Sequence, residues 1–178
     1  VILVGETRDL ETAEIVVRAA LTGHLVFTTL HTNDATSAPL RLIDMGIPPY
    51  LLSSAIRASL AQRLVRSLCP ACKKPYSVQA AEVAAFGPEG KRLNGAKLWK
   101  AKGCPECLGG YKGRTGLFEL MTMRPELQDA IRGGLSTQEF RRLAAGLGME
   151  TLLDDALGKV LEGLTSSAEA LRVVGPQI

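Results

Sequence analysis

The sequence predicts an α/β fold that is interrupted by a metal-binding segment and followed by helices. Residues 1–46 follow a strand, helix, strand, helix order, which is typical of a parallel βαβ unit. Two Cys-Pro-x-Cys pairs, Cys69 with Cys72 and Cys104 with Cys107, predict a small subdomain built around one metal ion. Two Ser-x-x-Glu capping boxes indicate helices in the C-terminal part of the chain.

The first predicted strand comprises residues 1–4, which are apolar and mostly β-branched and therefore favour a fully buried strand of a parallel sheet. Gly5 and Glu6 follow at the carboxyl end of this strand, which is where open α/β sheets place their chemistry. Asp9 is predicted to cap the next helix, over residues 10–21.

A second strand is predicted over residues 25–30 and leads into His31. Asp34 is then predicted to cap a helix that ends near Gly46. Apolar residues recur at every fourth position between 51 and 68, and this spacing predicts one long helix. They are Leu52, Ile56, Leu60, Leu64 and Leu68.

The predicted elements after the first cysteine pair are short. A helix is expected near residues 80–86, a strand over 97–100, and a second strand over 117–121 where the chain returns to the core. The remainder is predicted to be helical, with capping boxes at Ser136 and Ser166.

The composition indicates a globular protein. Of 178 residues, 46% are hydrophobic, and the net charge is +3 from 21 basic and 18 acidic side chains. No apolar run reaches the roughly 18–20 residues that a bilayer span needs, and no signal peptide precedes the first polar residues, so we expect a cytoplasmic protein. The chain begins at Val1 rather than at a methionine, and we expect it to be a fragment of a longer protein.

Four cysteines at this spacing favour a structural zinc site. Each Cys-x-x-Cys turn aims two sulfurs at one point, and four sulfurs fill a tetrahedral shell without leaving a position for water. A thioredoxin-like redox motif explains one pair but not the second, and a disulfide framework is typical of smaller secreted domains. An iron–sulfur cluster takes the same four ligands and remains an alternative.

The cysteine segment is more basic than the rest of the chain. From Cys69 to Gly116 it contains nine Lys and Arg residues against three Glu residues. A nucleic-acid-binding zinc ribbon, with two Cys-x-x-Cys knuckles in a basic segment, is therefore the competing interpretation. The scattered lysines and the few aromatic residues, chiefly Tyr76, Trp99 and Tyr111, disfavour base stacking.

Glu6 and His31 are the candidate chemical groups outside the cysteine segment. Each lies just beyond a predicted strand, so the two side chains are expected to project from neighbouring strand ends into one crevice. P-loop nucleotidases place an acidic side chain at such a position, where it holds magnesium-bound water or orients the attacking water. The alternatives are a solvated strand end for Glu6, and histidines satisfied by backbone carbonyls for His24 and His31.

Several segments, in this order and over nearly the whole chain, resemble a known family. They are Val-Gly-Glu-Thr-Arg-Asp (4–9), Leu-Thr-Gly-His-Leu-Val-Phe-Thr-Thr-Leu-His-Thr-Asn (21–33), Ala-Gln-Arg-Leu-Val-Arg (61–66), the two Cys-Pro-x-Cys pairs, and Gly-Tyr-Lys-Gly-Arg-Thr-Gly-Leu-Phe-Glu-Leu (110–120). Together they resemble the C-terminal half of the traffic ATPases of type II secretion and type IV pilus assembly. Retraction ATPases of the same superfamily generally lack the cysteine pairs, so the cysteines favour the assembly or secretion branch.

The resemblance implies roles for the matching residues. Gly5 and Glu6 fall in the Walker B box, in which Glu6 would be catalytic and would position magnesium and the nucleophilic water. His24 and His31 fall in the histidine box, in which His31 would act near the γ-phosphate. These four residues are the implied nucleotide-binding set, and the four cysteines match the family's metal-binding subdomain.

Two further positions of the Walker B segment carry expectations. Arg8 and Asp9 match its extension, where the resemblance leads us to expect an ion pair between them. Thr7 stands where the family commonly has an aliphatic residue, a departure that should be tolerated.

The resemblance also implies an architecture. Residues 1–68 would form the C-terminal part of a RecA-like P-loop ATPase sheet, residues 69–116 the tetracysteine zinc subdomain, and residues 117–178 a mainly helical region. No G-x-x-x-x-G-K-[ST] motif is present to cradle phosphates, so the fragment alone is expected not to hydrolyse ATP.

The family further implies cofactors and partners for the complete enzyme. It would use Mg-ATP, contain structural zinc and assemble as a hexamer. It would work in the cytoplasm against inner-membrane platform or assembly proteins, without direct contact with nucleic acid, and the zinc subdomain would be an interaction platform for such a partner.

Overall fold

A computed structural model describes residues 1–175 of the chain and confirms the predicted mixed α/β fold class. In chain order its elements are β1 (Ile2–Val4), α1 (Leu10–Leu21), β2 (Val26–Thr28), α2 (Ser37–Asp44), α3 (Pro49–Ala55), β3 (Ala58–Leu68), β4 (Lys74–Ser77), α4 (Ala80–Ala85), a 3₁₀ helix (Gly87–Leu93), β5 (Lys97–Lys100), β6 (Tyr111–Thr122), α5 (Pro125–Gly133), α6 (Thr137–Gly146), α7 (Leu152–Leu161) and α8 (Ser167–Val174). None of the helices in this range combines the length and the apolar character that a bilayer span requires.

The described chain divides into two compact units. The first consists of residues 1–61 and 119–149, and the second of residues 62–118 together with the chain from Glu150 onward. The strands β3 and β6 are hydrogen-bonded neighbours, and each contributes residues to both units. The functional division into 1–68, 69–116 and 117–178 stays a prediction.

In the first unit, β1 and β2 form a parallel pair in which Leu3 lies opposite Phe27. The helix α1 begins after Asp9, whose side chain accepts a hydrogen bond from Thr12 N, as predicted. Side chains from α1, α2, α3 and the loop between α2 and α3 share one apolar core. Its buried members are Ala13, Val17, Leu42, Ile47 and Leu52.

Within the residues that the structure describes, the expectation that β1 is buried on both faces is not met. Leu3 is 79% exposed, and Phe27 opposite it is 54% exposed. Side chains alternate between the two faces of a strand, and only the face that carries Ile2 and Val4 is partly buried. The apolar run therefore predicted the strand correctly, and within the described part of this chain one face of the strand is left largely uncovered.

The long helix predicted over residues 51–68 is also wrong. The short helix α3 ends before Ile56, which has an extended backbone with ψ of 131°, and β3 follows. A spacing of four residues keeps side chains on one face of a helix, but it also keeps them on one face of a strand, because four is a multiple of the strand period of two. The buried side chains within β3 include Ala61 and Val65, which lie between the leucines of that spacing.

In the second unit, β4 and β5 form an antiparallel pair, which confirms the strand predicted over residues 97–100. The helix predicted near residues 80–86 corresponds to α4. The strand predicted over residues 117–121 is confirmed as part of β6, which is longer and begins at Tyr111.

The two capping boxes have different outcomes. The box at the start of α6 is confirmed. At the start of α8, Ser166 accepts a hydrogen bond from Glu169 N, but the buried Glu169 carboxylate accepts hydrogen bonds from Arg172 and Arg66 instead of completing the box. These two guanidinium groups, Arg172 foremost, hold the pKa of Glu169 well below its usual range.

Candidate functional site

Glu6 and His31 meet where β1 and β2 end. His31 Nε2 lies 2.5 Å from Glu6 Oε1. The two residues are distant in sequence, but they leave a parallel strand pair at the same edge. The two side chains therefore meet at one edge of the strand pair, as expected, while a crevice shared by both and their catalytic roles stay predictions.

Three hydrogen bonds join the two segments that carry Glu6 and His31. Thr7 N donates to Thr29 O at 3.0 Å, and Thr29 Oγ1 donates to Gly5 O at 2.7 Å. The hydroxyl groups of Thr7 and Thr28 are 2.8 Å apart. Thr7 is buried, so the Thr28 hydroxyl satisfies a polar group that an aliphatic residue would not have.

Arg8 is a second charged partner of Glu6. Its Nη2 lies 2.5 Å from Glu6 Oε2, so the carboxylate is contacted on both oxygens. The Arg8 hydrogen bond is the main cause that lowers the pKa of Glu6; desolvation opposes this shift, and His31 adds to it. Arg8 thus pairs with Glu6 rather than with Asp9, which caps α1, and the expected ion pair between Arg8 and Asp9 is wrong.

His24 lies beside the C-terminal end of α1. Its Nδ1 is 3.2 Å from Ala19 O and 3.2 Å from Thr22 Oγ1. This geometry fits the structural alternative, in which a backbone carbonyl satisfies the ring. The nucleotide-binding roles of His24 and of Gly5 stay predictions.

The loop after His31 is anchored by a residue that the sequence analysis did not single out. Glu119 on β6 is fully buried, and its Oε1 accepts a 2.8 Å hydrogen bond from Ala35 N. The sequence does contain a signal for this burial. Leu117, Glu119 and Met121 occupy alternate positions of β6 that face the core, and Glu119 is the polar residue among them.

A polar cleft of about 290 Å³ opens beside this loop. Its lining comprises His31, Thr32, Asn33, Ser37, Leu40, Arg41, Asp44 and Thr137. The side chain of His31 is 84% exposed and is therefore accessible to a ligand.

The arrangement of Glu6 and His31 is suited to orienting a water molecule. An ionised carboxylate accepts hydrogen bonds from water and can take its proton, and an accessible imidazole can donate a hydrogen bond to an anionic group. Arg8 favours the ionised form of Glu6, which is the form that this chemistry requires.

The four cysteines form a compact cluster in the second unit. Their sulfur atoms all lie within 4.8 Å of one another. The distance is 3.6 Å between Cys104 and Cys107, 3.7 Å between Cys72 and Cys107, and 3.9 Å between Cys69 and Cys104. Four sulfurs at about 2.3 Å from a central zinc ion are about 3.8 Å apart in a tetrahedron, so the cluster has the dimensions of a zinc site.

Backbone N–H groups approach the sulfur atoms. Cys104 N donates to Cys107 Sγ at 3.3 Å. Desolvation raises the pKa of Cys107, but the N–H groups of Cys104 and Gly110 and the neighbouring thiols outweigh it and lower this pKa to about 7. Gly110 has φ of +90°, and a Cβ there would lie 2.5 Å from the Ala101 Cβ, so this turn requires glycine.

Lys73 connects the first cysteine turn to the segment between α7 and α8. Its Nζ donates to Gly163 O at 2.7 Å and lies 4.8 Å from the centre of the Trp99 ring. At Gly163 a Cβ would lie 2.4 Å from Trp99, so the indole packs directly on this backbone. The first cysteine turn is therefore part of a larger packed region within the second unit.

Comparison with known sequences gives a match over nearly the whole chain. Residues 1–172 match the family model described as "Type II/IV secretion system protein". The chain is 51% identical over 174 residues to type II secretion system protein E of Pseudomonas aeruginosa, and 45% identical over 172 residues to the type IV pilus assembly ATPase PilB of Thermus thermophilus. These alignments cover 97% and 96% of this chain but only 34% and 19% of the relatives, so the chain spans about a third of their length or less.

Solved structures show the same fold. The pilus retraction motor PilT with bound ADP matches with a TM-score of 0.64 at 24% identity, covering 97% of this chain and 39% of that chain. The ATPase DotB of Legionella pneumophila matches with a TM-score of 0.62 at 22% identity, covering 96% of this chain and 37% of that chain. The fold predicted from the sequence is thus the fold of these ATPases.

Proposed function

The chain belongs to the type II/IV secretion system protein family, and we propose that it is the C-terminal part of an ATPase that powers type II protein secretion or type IV pilus assembly. The observation that carries this proposal is the contact between Glu6 and His31 at the ends of two parallel strands. Relatives named as a type II secretion ATPase and as a type IV pilus assembly ATPase support the activity. The cysteine cluster supports the assembly or secretion branch.

In the proposed reaction, Glu6 orients the attacking water and accepts its proton. Arg8 keeps the Glu6 carboxylate ionised, and His31 stabilises charge on the γ-phosphate. Bound Mg-ATP supplies the phosphoanhydride bond that is cleaved. Gly5 and His24 complete the proposed nucleotide-binding set, and the phosphates require a loop that the 178 residues do not contain.

We assign a structural zinc ion to Cys69, Cys72, Cys104 and Cys107. These four sulfurs would fill a tetrahedral shell, so the metal would bind no water and would take no part in hydrolysis. Elemental analysis of the purified protein is expected to find one zinc ion per chain. Iron with inorganic sulfide instead would assign the cluster to the alternative cofactor.

The complete protein is proposed to be a cytoplasmic hexamer that acts at the inner membrane through platform or assembly proteins. The proposal includes no direct contact with nucleic acid. Cationic side chains of the same chain lie over the rings of Tyr76, Trp99 and Tyr111, and this occupancy disfavours base stacking on those rings.

The proposed function is tested by ATP hydrolysis in the complete protein that contains this chain. Replacing Glu6→Gln removes the proton acceptor but keeps the shape of the side chain, and we expect kcat to fall by about 10²–10⁴-fold. Glu11→Gln, an exposed glutamate on α1, is the matched control and should leave kcat unchanged. Full hydrolysis by Glu6→Gln, or by the 178-residue chain alone, would contradict the assigned role.

A further inference from the structure

A buried carboxylate lies behind the loop that carries His31. Glu119 has 0% of its surface exposed, and its Oε1 accepts a 2.8 Å hydrogen bond from Ala35 N, 84 positions away in sequence. Burying a carboxylate is costly unless specific partners compensate for its lost hydration. The hydrogen bond from Ala35 N is one contact that compensates for this lost hydration, and it ties the carboxylate to the loop.

The anchored backbone and the exposed histidine belong to one short segment. Ala35 is 1% exposed and Thr36 is 0% exposed, so the loop enters the core directly after it has presented His31. The side chain of His31 is 84% exposed and therefore has little packing to hold it. Apart from the contact with Glu6, its position follows from the backbone to which it is attached.

Asp34 gives the same loop a second anchor. Its Oδ1 accepts a 2.8 Å hydrogen bond from Ser37 N, the first residue of α2, although the N-cap position is Thr36 and not Asp34 as predicted. Its Oδ2 lies 3.4 Å from Arg141 Nη2 on α6. Arg141 is half-exposed, so water can partly replace this ion pair, whereas water cannot reach the contact between Glu119 and Ala35.

We propose that Glu119 is a positioning residue for His31. It fixes the backbone of residues 31–35 against β6, so that the exposed imidazole is presented toward Glu6 and toward the cleft beside it. Glu119 itself does not touch the reacting groups and acts through the loop. The inference rests on the proposed function, because the positioned histidine matters for ATP hydrolysis.

The test uses the complete protein and compares two substitutions of one residue. Glu119→Ala removes the acceptor for Ala35 N, whereas Glu119→Gln retains a carbonyl oxygen that can accept the same hydrogen bond. For Glu119→Ala we expect kcat to fall about 10- to 100-fold with KM for ATP within about 2-fold of wild type, because the misplaced group acts in the transition state. Glu119→Gln should restore most of kcat.

Hydrogen exchange measured by mass spectrometry provides a readout that is independent of hydrolysis. In Glu119→Ala, peptides that cover residues 31–37 should exchange about 10-fold faster than in wild type, while α1 keeps its protection. In Glu119→Gln the same peptides should be close to wild type.

A separate pair of variants measures how much the second anchor, between Asp34 and Arg141, contributes to the same loop. Arg141→Met removes the second anchor and should lower kcat about 3-fold and loosen residues 31–37 slightly, since half-exposed ion pairs are weak. Arg142→Met, the exposed neighbour on α6, is the matched control and should change neither quantity.

The outcomes separate the two proposals. If the wild-type protein does not hydrolyse ATP, the proposed function fails, and exchange at residues 31–37 still tests the anchoring role. If wild type is active and Glu119→Ala keeps both kcat and loop protection, the inference is overturned. It is also overturned if Ala and Gln at position 119 lower kcat equally, or if Glu119→Ala fails to fold and Glu119→Gln, which keeps an acceptor for Ala35 N, loses both kcat and loop protection.

Discussion

The two candidate sites of this chain are built in opposite ways. The contact between Glu6 and His31 lies at the ends of two three-residue strands, and the His31 side chain is mostly exposed. The cysteine cluster takes all four of its ligands from two short turns, and Cys69 is buried. A metal shell with four sulfurs is complete by itself, whereas hydrolysis of a phosphoanhydride also needs a loop that binds phosphate.

The two sites therefore depend to different degrees on residues that are distant in sequence. Each Cys-x-x-Cys turn brings its own two sulfur atoms together without help from distant residues, because its two cysteines are only three positions apart in sequence. The geometry of Glu6 and His31 depends on strand pairing and on distant anchors such as Glu119. We therefore expect changes at the cysteines to alter metal content and local folding, and changes around Glu6 to alter hydrolysis.

The largest effect is expected from removing one cysteine pair. The double variant Cys104→Ser and Cys107→Ser removes two of the four sulfur ligands and should abolish stoichiometric metal binding. Local folding should be lost with the metal, since structural zinc contributes an apparent free energy of about 10–16 kcal/mol in zinc-finger peptides. Elemental analysis should find less than about 0.1 metal ion per chain, and residues 69–107 should lose protection from hydrogen exchange. Hydrolysis by the complete protein should be largely retained.

Ser77→Ala, an exposed serine on β4, is the control for the cysteine variant and should keep the metal. A loss of hydrolysis as large as that of Glu6→Gln would contradict the separation of the two sites. It would indicate that the metal region supports the reaction directly.

A smaller effect is expected at Lys73, which contacts the metal region without binding the metal. Lys73→Met removes the hydrogen bond to Gly163 O and should increase the rate at which a chelator extracts the metal by about 10-fold. Effects of this size are typical when residues that support the metal ligands, without binding the metal themselves, are replaced. Lys74→Met changes the exposed neighbour and is the matched control. Equal extraction rates for the two variants would show that the contact with Gly163 does not support the cluster.

The smallest effect is expected at Arg8. The pKa of Glu6 is held below its usual value chiefly by Arg8, so Arg8→Met should raise this pKa. The ionised form of Glu6 is then lost at a higher pH on acidification, and the acid limb of the profile of kcat/KM against pH should move to higher pH.

The matched control for Arg8 is Arg18→Met, which breaks an exposed pair with Glu14 on α1 and should leave the pH profile unchanged. An acid limb that does not move in Arg8→Met would mean that Arg8 does not control the ionisation of Glu6 in the active enzyme.

The sequence predicted the elements whose signals are local. The Asp9 cap, the helix over residues 10–21 and the capping box of α6 all depend on side chains within a few positions of the backbone groups that they bind. Each Cys-x-x-Cys pair was predictable for the same reason, whereas the meeting of the two pairs, 35 positions apart, was predicted from the four ligands that one zinc ion takes. The error over residues 51–68 arose because a four-residue spacing satisfies both a helix and a strand, and only pairing with β6 decides between them.

The sequence by itself determined the family, the α/β class, the four cysteines that cluster and the two residues, Glu6 and His31, that meet at the strand ends. Only the tertiary structure decided which charged groups meet: Arg8 contacts Glu6 rather than Asp9, and Glu169 contacts two arginines rather than its own helix start. It also decided that Glu119 anchors the loop of His31. A side chain selects its partner by distance in space, and chain folding sets that distance between residues that no local pattern connects.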